Sequence, residues 1–271
     1  MNSSALTVQG IEVFIEGEGP DTLVMIHGWP DTHRLWDSTV DALKQHFRCV
    51  RFTLPGYDLA KPARPTSLAQ MTALIADIVD AVSLGRPVTL VLHDWGCIFG
   101  YEFASRHPAQ VARIVGVDIG DYNSDVYVRS LSVKAKALVF GYQFWLAVAW
   151  KVGGALGDAM TRWMARKSGC RAESSAVGWQ MNYPYAMLWF GLLGGFRGAA
   201  QVVHDCPVLF IYGDRKPFMF QSADWLAKIA ASPGCAVHAF PTGHWVMAQQ
   251  PEAFNQCLGK WLVDQPATPV A

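Results

Sequence analysis

Two hydrophobic rhythms alternate along the chain. Ile11 to Glu16 alternates apolar and polar residues, as an antiparallel edge strand does, and Gly17 to Pro20 turns the chain into the continuous apolar run Thr22–Ile26. Arg34 to Phe47 has the spacing of an amphipathic helix, and Cys49 to Leu54 that of a strand. Pro55, Gly56, Pro62 and Pro65 mark a long loop, after which Ser67 caps a helix running to about Ser83. The apolar strand Val88–Leu92, a helix from Gly96 to His107-Pro108 and the strand Arg113–Asp118 follow. This β-α-β-α-β order with short connections predicts an α/β fold, a parallel sheet with helices on both faces.

The alternation stops between Gly120 and His204, a stretch rich in Trp, Tyr, Phe and Gly with helical runs at Val133–Gly153, Gly157–Arg166 and Met187–Gly195. It resumes with the strand Pro207–Tyr212, the helix Ser222–Ala230, the strand Ala236–Phe240 and the helix Pro251–Val263. The chain therefore divides into a first core part (1–119), a helical cap (120–204) over the carboxyl ends of the strands, and a second core part (205–271). The tail from Gln265 to Ala271, with Pro266 and Pro269, reads as disordered.

Composition narrows the partners. A formal net charge of +0 over 271 residues argues against nucleic acid or an anionic membrane. Charged residues make up 16% and apolar ones 51%, against roughly 25% charged in a typical soluble domain. That surplus suits an apolar pocket or a homodimer interface. Six scattered cysteines without a Cys-x-x-Cys pair read as free thiols of a reducing cytoplasm, and the N-terminus lacks a signal-peptide pattern. The uncharged run Ala137–Trp150 is short of the roughly 20 residues a membrane span needs. His33, His46, His107, His204 and His238 have no carboxylate or cysteine at ligand spacing, so no metal site is expected.

The candidate chemistry lies at His93–Gly96, the sharp turn between a strand and a helix, with Asp94 at its tip. An aspartate is ionised at neutral pH and attacks an alkyl carbon directly to give an ester, whereas attack on a carbonyl would give an anhydride. The plain alternative is that Asp94 caps the following helix. A histidine, His244, follows the last strand in Thr242-Gly243-His244-Trp245.

Taken in order, His27-Gly28-Trp29-Pro30-Asp31, His93-Asp94-Trp95-Gly96 and Gly243-His244-Trp245 resemble the aspartate-nucleophile branch of the α/β-hydrolases, and most closely the epoxide hydrolases. The branch also holds haloalkane and fluoroacetate dehalogenases. The resemblance implies an α/β-hydrolase fold with an inserted cap and no cofactor. In it Asp94 is the nucleophile, His244 the base, and the N–H groups of Trp29, before a cis proline bond, and of Trp95 form the oxyanion hole.

Where the family usually reads Gly-x-x-Asp after the strand that here ends at Tyr212, this chain reads Gly213-Asp214-Arg215-Lys216, so a lysine stands in the acid's place. Some family members draw the acid from the end of the strand after the elbow. That favours Asp118, with Asp214 as the substitute. Leu92, where many relatives have glycine, is a second departure. Two cap tyrosines hold the epoxide oxygen in the family. Tyr142-Gln143 resembles the first site, and Tyr183 or Tyr185 the second. Halide release would instead use the indoles of Trp95 and Trp29. The expected activity is hydrolysis of a small apolar epoxide to a diol, with haloalkane dehalogenation and a catalytically inactive, hydrolase-like binding protein as alternatives.

Overall fold

The computed structural model describes residues 3–202 and 204–265; the tail positions Pro266 and Pro269 lie outside them. Eight strands form one sheet: β1 (Ser3–Val8), β2 (Ile11–Glu16), β3 (Thr22–Ile26), β4 (Arg48–Phe52), β5 (Val88–His93), β6 (Val111–Val117), β7 (Val208–Gly213) and β8 (Ala236–Phe240). Their order is β1-β2-β4-β3-β5-β6-β7-β8, antiparallel at β1-β2 and β2-β4 and parallel from β4 onward. β2 is therefore not the edge: Ser3–Val8 pairs along its outer side, a strand that the sequence pattern does not announce.

Side-chain alternation sorts the core onto two faces. Val24 and Ile26 join one cluster with the helices α2 (Leu68–Val82), α3 (Trp95–Arg106) and α8 (Ala223–Ala231). Leu23 and Met25 join the other, with α1 (Asp37–Leu43), α9 (Val246–Gln249) and α10 (Pro251–Asp264). The helix expected over Arg34–Phe47 is a 3-10 turn at His33–Trp36 followed by the short α1. α2 begins at a capping box, in which Ser67 and Gln70 satisfy each other's backbone N–H groups.

Between β6 and β7 the chain forms α4 (Asp125–Ser130), α5 (Val133–Val152), α6 (Gly154–Lys167) and α7 (Tyr183–Phe190). α7 starts four residues before the expected Met187, because Pro184 falls in its first turn, where a missing N–H costs nothing. The stretch leading back to β7 is fastened to the far end of α3: Glu102 accepts from the Ala200 N–H at 2.7 Å, and Arg106 donates to the Gly198 carbonyl at 2.8 Å. No helix among the described residues is long and apolar enough to cross a membrane.

Candidate active site

β5 delivers Asp94 at φ 53° and ψ −121°, a strained conformation for a residue with a Cβ, and α3 begins at the next residue. The Asp94 side chain makes no cap hydrogen bond to α3, so helix capping does not explain it. Close approach of α3 to the sheet requires the neighbouring glycines. A Cβ on Gly96 would overlap the Ile26 carbonyl, and one on Gly100 would overlap the Leu92 side chain. Leu92 is thus accommodated by Gly100, which leaves room one turn further along α3.

The ends of β3, β6, β7 and β8 converge around Asp94. The Trp29 N–H, after β3, donates to Asp94 Oδ1 at 2.6 Å, and the Trp29–Pro30 bond is cis. His244, after β8, places Nε2 3.3 Å from Asp94 Oδ2. Its Nδ1 pairs with Asp118 Oδ2, just beyond β6. Asp118 Oδ1 in turn accepts from the Gly213 N–H at 3.0 Å and pairs with Lys216. Asp214 is exposed, and its backbone N–H goes to the Phe240 carbonyl. Among the described residues His244 pairs with Asp94 and Asp118, not with Asp214. Trp95 is the first residue of α3, so its N–H has no intrahelical acceptor.

Electrostatics follow from burial and pairing. Burial pulls the His244 pKa down, but Asp118 and then Asp94 more than offset it and raise it to about 9. Burial opposes ionisation of Asp94, yet His244, His93 and the Trp29 N–H hold its carboxyl below the ordinary value. Asp118 is likewise held low, against its burial, by Lys216 and His244. His93 is driven by burial and the adjacent His244 to about 3, and its neutral ring lies 3.2 Å from the His244 carbonyl. Neutral His27 accepts the Leu54 N–H at 3.0 Å, which braces the turn that carries Trp29.

A cavity of about 430 Å3 opens in front of Asp94, lined among others by Trp95, Tyr142, Tyr185, Phe196 and Phe220. The Tyr142 and Tyr185 rings meet edge to face at 6.1 Å, and burial raises both hydroxyls above their usual pKa. Tyr183 does not reach this cavity. It is fully buried against Tyr57, with ring centroids 6.2 Å apart. Two residues along a helix turn the side chain by roughly 200°, so Tyr183 and Tyr185 leave α7 on opposite sides. The Trp29 indole also points away, donating to Asn182 Oδ1 at 2.7 Å. Trp95 packs its indole on Phe196 and Tyr185, and its Nε1 is buried without an acceptor.

The roles of three further residues were not read from the sequence. Asn182, just before α7, accepts from the Trp29 indole and donates through Nδ2 to Thr161 of α6 at 2.7 Å. Asp31 is buried, accepts from Trp245 Nε1 at 2.8 Å, and is pushed by burial to about 7. Lys216 is the partner of Asp118 rather than a vacancy in the site. Its signal was the coincidence of a missing acid after β7 with a spare one after β6. No cluster of possible metal ligands exists among the described residues.

A profile of the alpha/beta hydrolase fold family matches residues 21–251. A relative from Mycobacterium tuberculosis strain H37Rv, named probable oxidoreductase EphD, is 41% identical over 102 residues, which are 35% of this chain and only 17% of that protein. Epoxide hydrolase 2 of Caenorhabditis elegans is 24% identical over 296 residues, covering 99% of this chain and 82% of its own. Among solved structures, an epoxide hydrolase from Bacillus megaterium bound to an inhibitor superposes with TM-score 0.69 at 22% identity, covering 96% of this chain and all of its own. Epoxide hydrolase A from Mycobacterium thermoresistibile gives 0.72 at 18%, covering 98% and 99%. At these identities the structural likeness carries the fold.

Proposed function

Because the chain belongs to the alpha/beta hydrolase fold family, we propose that it hydrolyses small apolar epoxides to diols through an ester on Asp94. Residues 120–204 act as the cap that closes the cavity. One Asp94 carboxylate oxygen forms a bond to a ring carbon as that carbon's bond to the epoxide oxygen breaks. The departing electron pair stays on the oxygen, which takes a proton from Tyr142 or Tyr185. Water then attacks the ester carbonyl and gives a proton to His244 Nε2. The N–H groups of Trp29 and Trp95 hold the oxyanion until it collapses, and the second proton of the water passes from the new carboxyl to the departing alkoxide, giving diol and ionised Asp94. The proton returns from His244 to the tyrosine through solvent, so the sum is epoxide plus water to diol.

The charge state of His244 fits this order. Paired with two carboxylates it is an imidazolium at neutral pH. Esterification removes the Asp94 charge, which lowers the His244 pKa and frees the ring to accept a proton. The observation that carries the proposal is a single one. Asp94 contacts His244 on one side and faces a cavity shared with Tyr142 and Tyr185 on the other.

Halide release is the weaker reading, because the second indole donor it needs, Trp29, is committed to Asn182. A binding protein without chemistry is weaker still, since the departures at Lys216 and Leu92 leave the Asp94–His244–Asp118 contacts intact. Incubation with styrene oxide tests the proposal by intact-protein mass. His244→Gln is expected to accumulate an adduct heavier by one substrate, and Asp94→Asn is expected to form none. An adduct on Asp94→Asn overturns the proposal. So does unlabelled His244→Gln, and bromide release from bromoalkanes without diol from epoxides would favour the halide reading.

A further inference from the structure

The net charge of zero conceals a segregation. Residues 120–204 carry nine Lys and Arg against four Asp and Glu, while the rest of the chain carries thirteen against eighteen. Exposed apolar side chains segregate the same way. Of sixteen large ones exposed among the described residues, fourteen lie between Val126 and Leu193. A patch of this kind on a monomer marks an interaction surface.

The apolar residues gather into two aromatic clusters. Trp189 of α7 packs against Phe140 and Phe144 of α5, at 6.0 and 5.1 Å between ring centroids, and Phe144 also meets Phe190. On the neighbouring side, Trp145 of α5 packs on Trp163 of α6 at 5.1 Å. Each cluster is edged by a cation. Lys151 stands 5.5 Å above the Phe190 ring and Lys167 4.8 Å above that of Trp163. Neither lysine has a carboxylate within ion-pair distance among the described residues. The face is continuous with the catalytic cavity, because Phe140, Leu188 and Val128 both line that cavity and stand exposed.

We propose that this cap face docks on an anionic lipid bilayer, with the aromatic clusters in the headgroup boundary and the flanking lysines on lipid phosphates. Tryptophan and phenylalanine rimmed by lysine and arginine is the composition that binds such an interface. The charge selects this occupant over a second copy of the chain, since apposing two faces of the same positive sign is repulsive. Docking gives an apolar compound dissolved in the lipid a path to the cavity that avoids bulk water. Attachment itself does not depend on the reaction assigned to the cavity, so the test reads attachment alone.

The full chain is co-sedimented with vesicles of phosphatidylcholine, with and without phosphatidylglycerol, while tryptophan emission is recorded. Binding and a blue shift are expected only with phosphatidylglycerol, weakening as salt is raised. Lys151→Gln with Lys167→Gln should cut the partition coefficient by roughly 30-fold, at about 1 kcal/mol for each lysine. Phe144→Ser with Trp189→Ser should abolish the blue shift while thermal unfolding stays cooperative. Equal binding to neutral and anionic vesicles, or none to either, overturns the proposal. A stable dimer that the same substitutions dissociate, without vesicle binding, overturns it in favour of self-association.

Discussion

Lys216 and Asp118 form an ion pair beneath His244, with the lysine side chain 6% exposed and the carboxylate fully buried. The lysine comes from the loop after β7 and the acid from the end of β6. The position that usually supplies the acid supplies its counter-charge here, and the Gly213 N–H from the same loop holds the carboxylate as well.

Removing this cation strengthens the pull of Asp118 on His244. Lys216→Met is therefore expected to move the rise in ester breakdown to higher pH, because neutral His244 forms later. Lys216→Arg keeps the wild-type profile. Breaking a buried pair also destabilises the fold by about 3 kcal/mol or more. Single-turnover kinetics across pH, with denaturant unfolding, checks both, and a shift toward lower pH contradicts the electrostatic assignment.

Asp118→Asn should slow turnover by on the order of 10²- to 10⁴-fold, since it leaves the imidazole without the charge that orients it. Asp214→Asn should stay within about twofold, as expected of an exposed surface substitution. Comparing kcat of the two variants decides between the acids.

Tyr142→Phe and Tyr185→Phe are each expected to lower the rate of ester formation by about 10- to 100-fold, and the double variant by more, as the leaving oxygen loses its proton donors. Tyr183→Phe keeps the packing beneath Tyr57 and should leave that rate unchanged. Rapid-quench measurement of ester formation distinguishes them.

Gly100→Ala forces a methyl group into Leu92 and is expected to cost about 1–3 kcal/mol. In a Leu92→Ala background, itself less stable, the same glycine substitution should cost little. A double-mutant cycle by denaturant unfolding measures the coupling, and additive effects would show that the two positions do not compete for space.

Because the folded-state pKa of His244, about 9, lies above its ordinary 6.5, its contribution to stability is complete below 6.5 and disappears as pH rises through 9. The wild-type Tm should therefore fall between neutral pH and about pH 9.5. The fall should be smaller in His244→Gln, and calorimetry on the two proteins checks the difference. At the acid end Asp94 and Asp118, both held low, act oppositely: their contribution is present above the ordinary carboxylate pKa and is lost on acidification.

The framework around these residues was legible because buried parallel strands leave unbroken apolar runs. Thr22–Ile26 and Val88–His93 are such segments, and Asp94 lies just beyond the second, whereas Ala236–Phe240, before His244, is a partly exposed edge strand. β1 escaped notice because an edge strand needs little apolar signal, and Ser3–Val8 is held by pairing with β2. The helices between β6 and β7 resisted most. The direction in which Tyr183 and Tyr185 point depends on the residue at which α7 starts, and the Trp29 indole is turned aside by Asn182, more than 150 residues away. Tertiary contacts of that range have no local signature.

α3 carries the Asp94 carboxylate at its head and, through Glu102 and Arg106, an anchor for the stretch at Gly198 and Ala200 toward its foot. Twelve helical residues make a strut about 18 Å long. The same rod therefore holds Asp94 and the stretch bearing Phe196, Ala199 and Gln201 on the walls of one cavity.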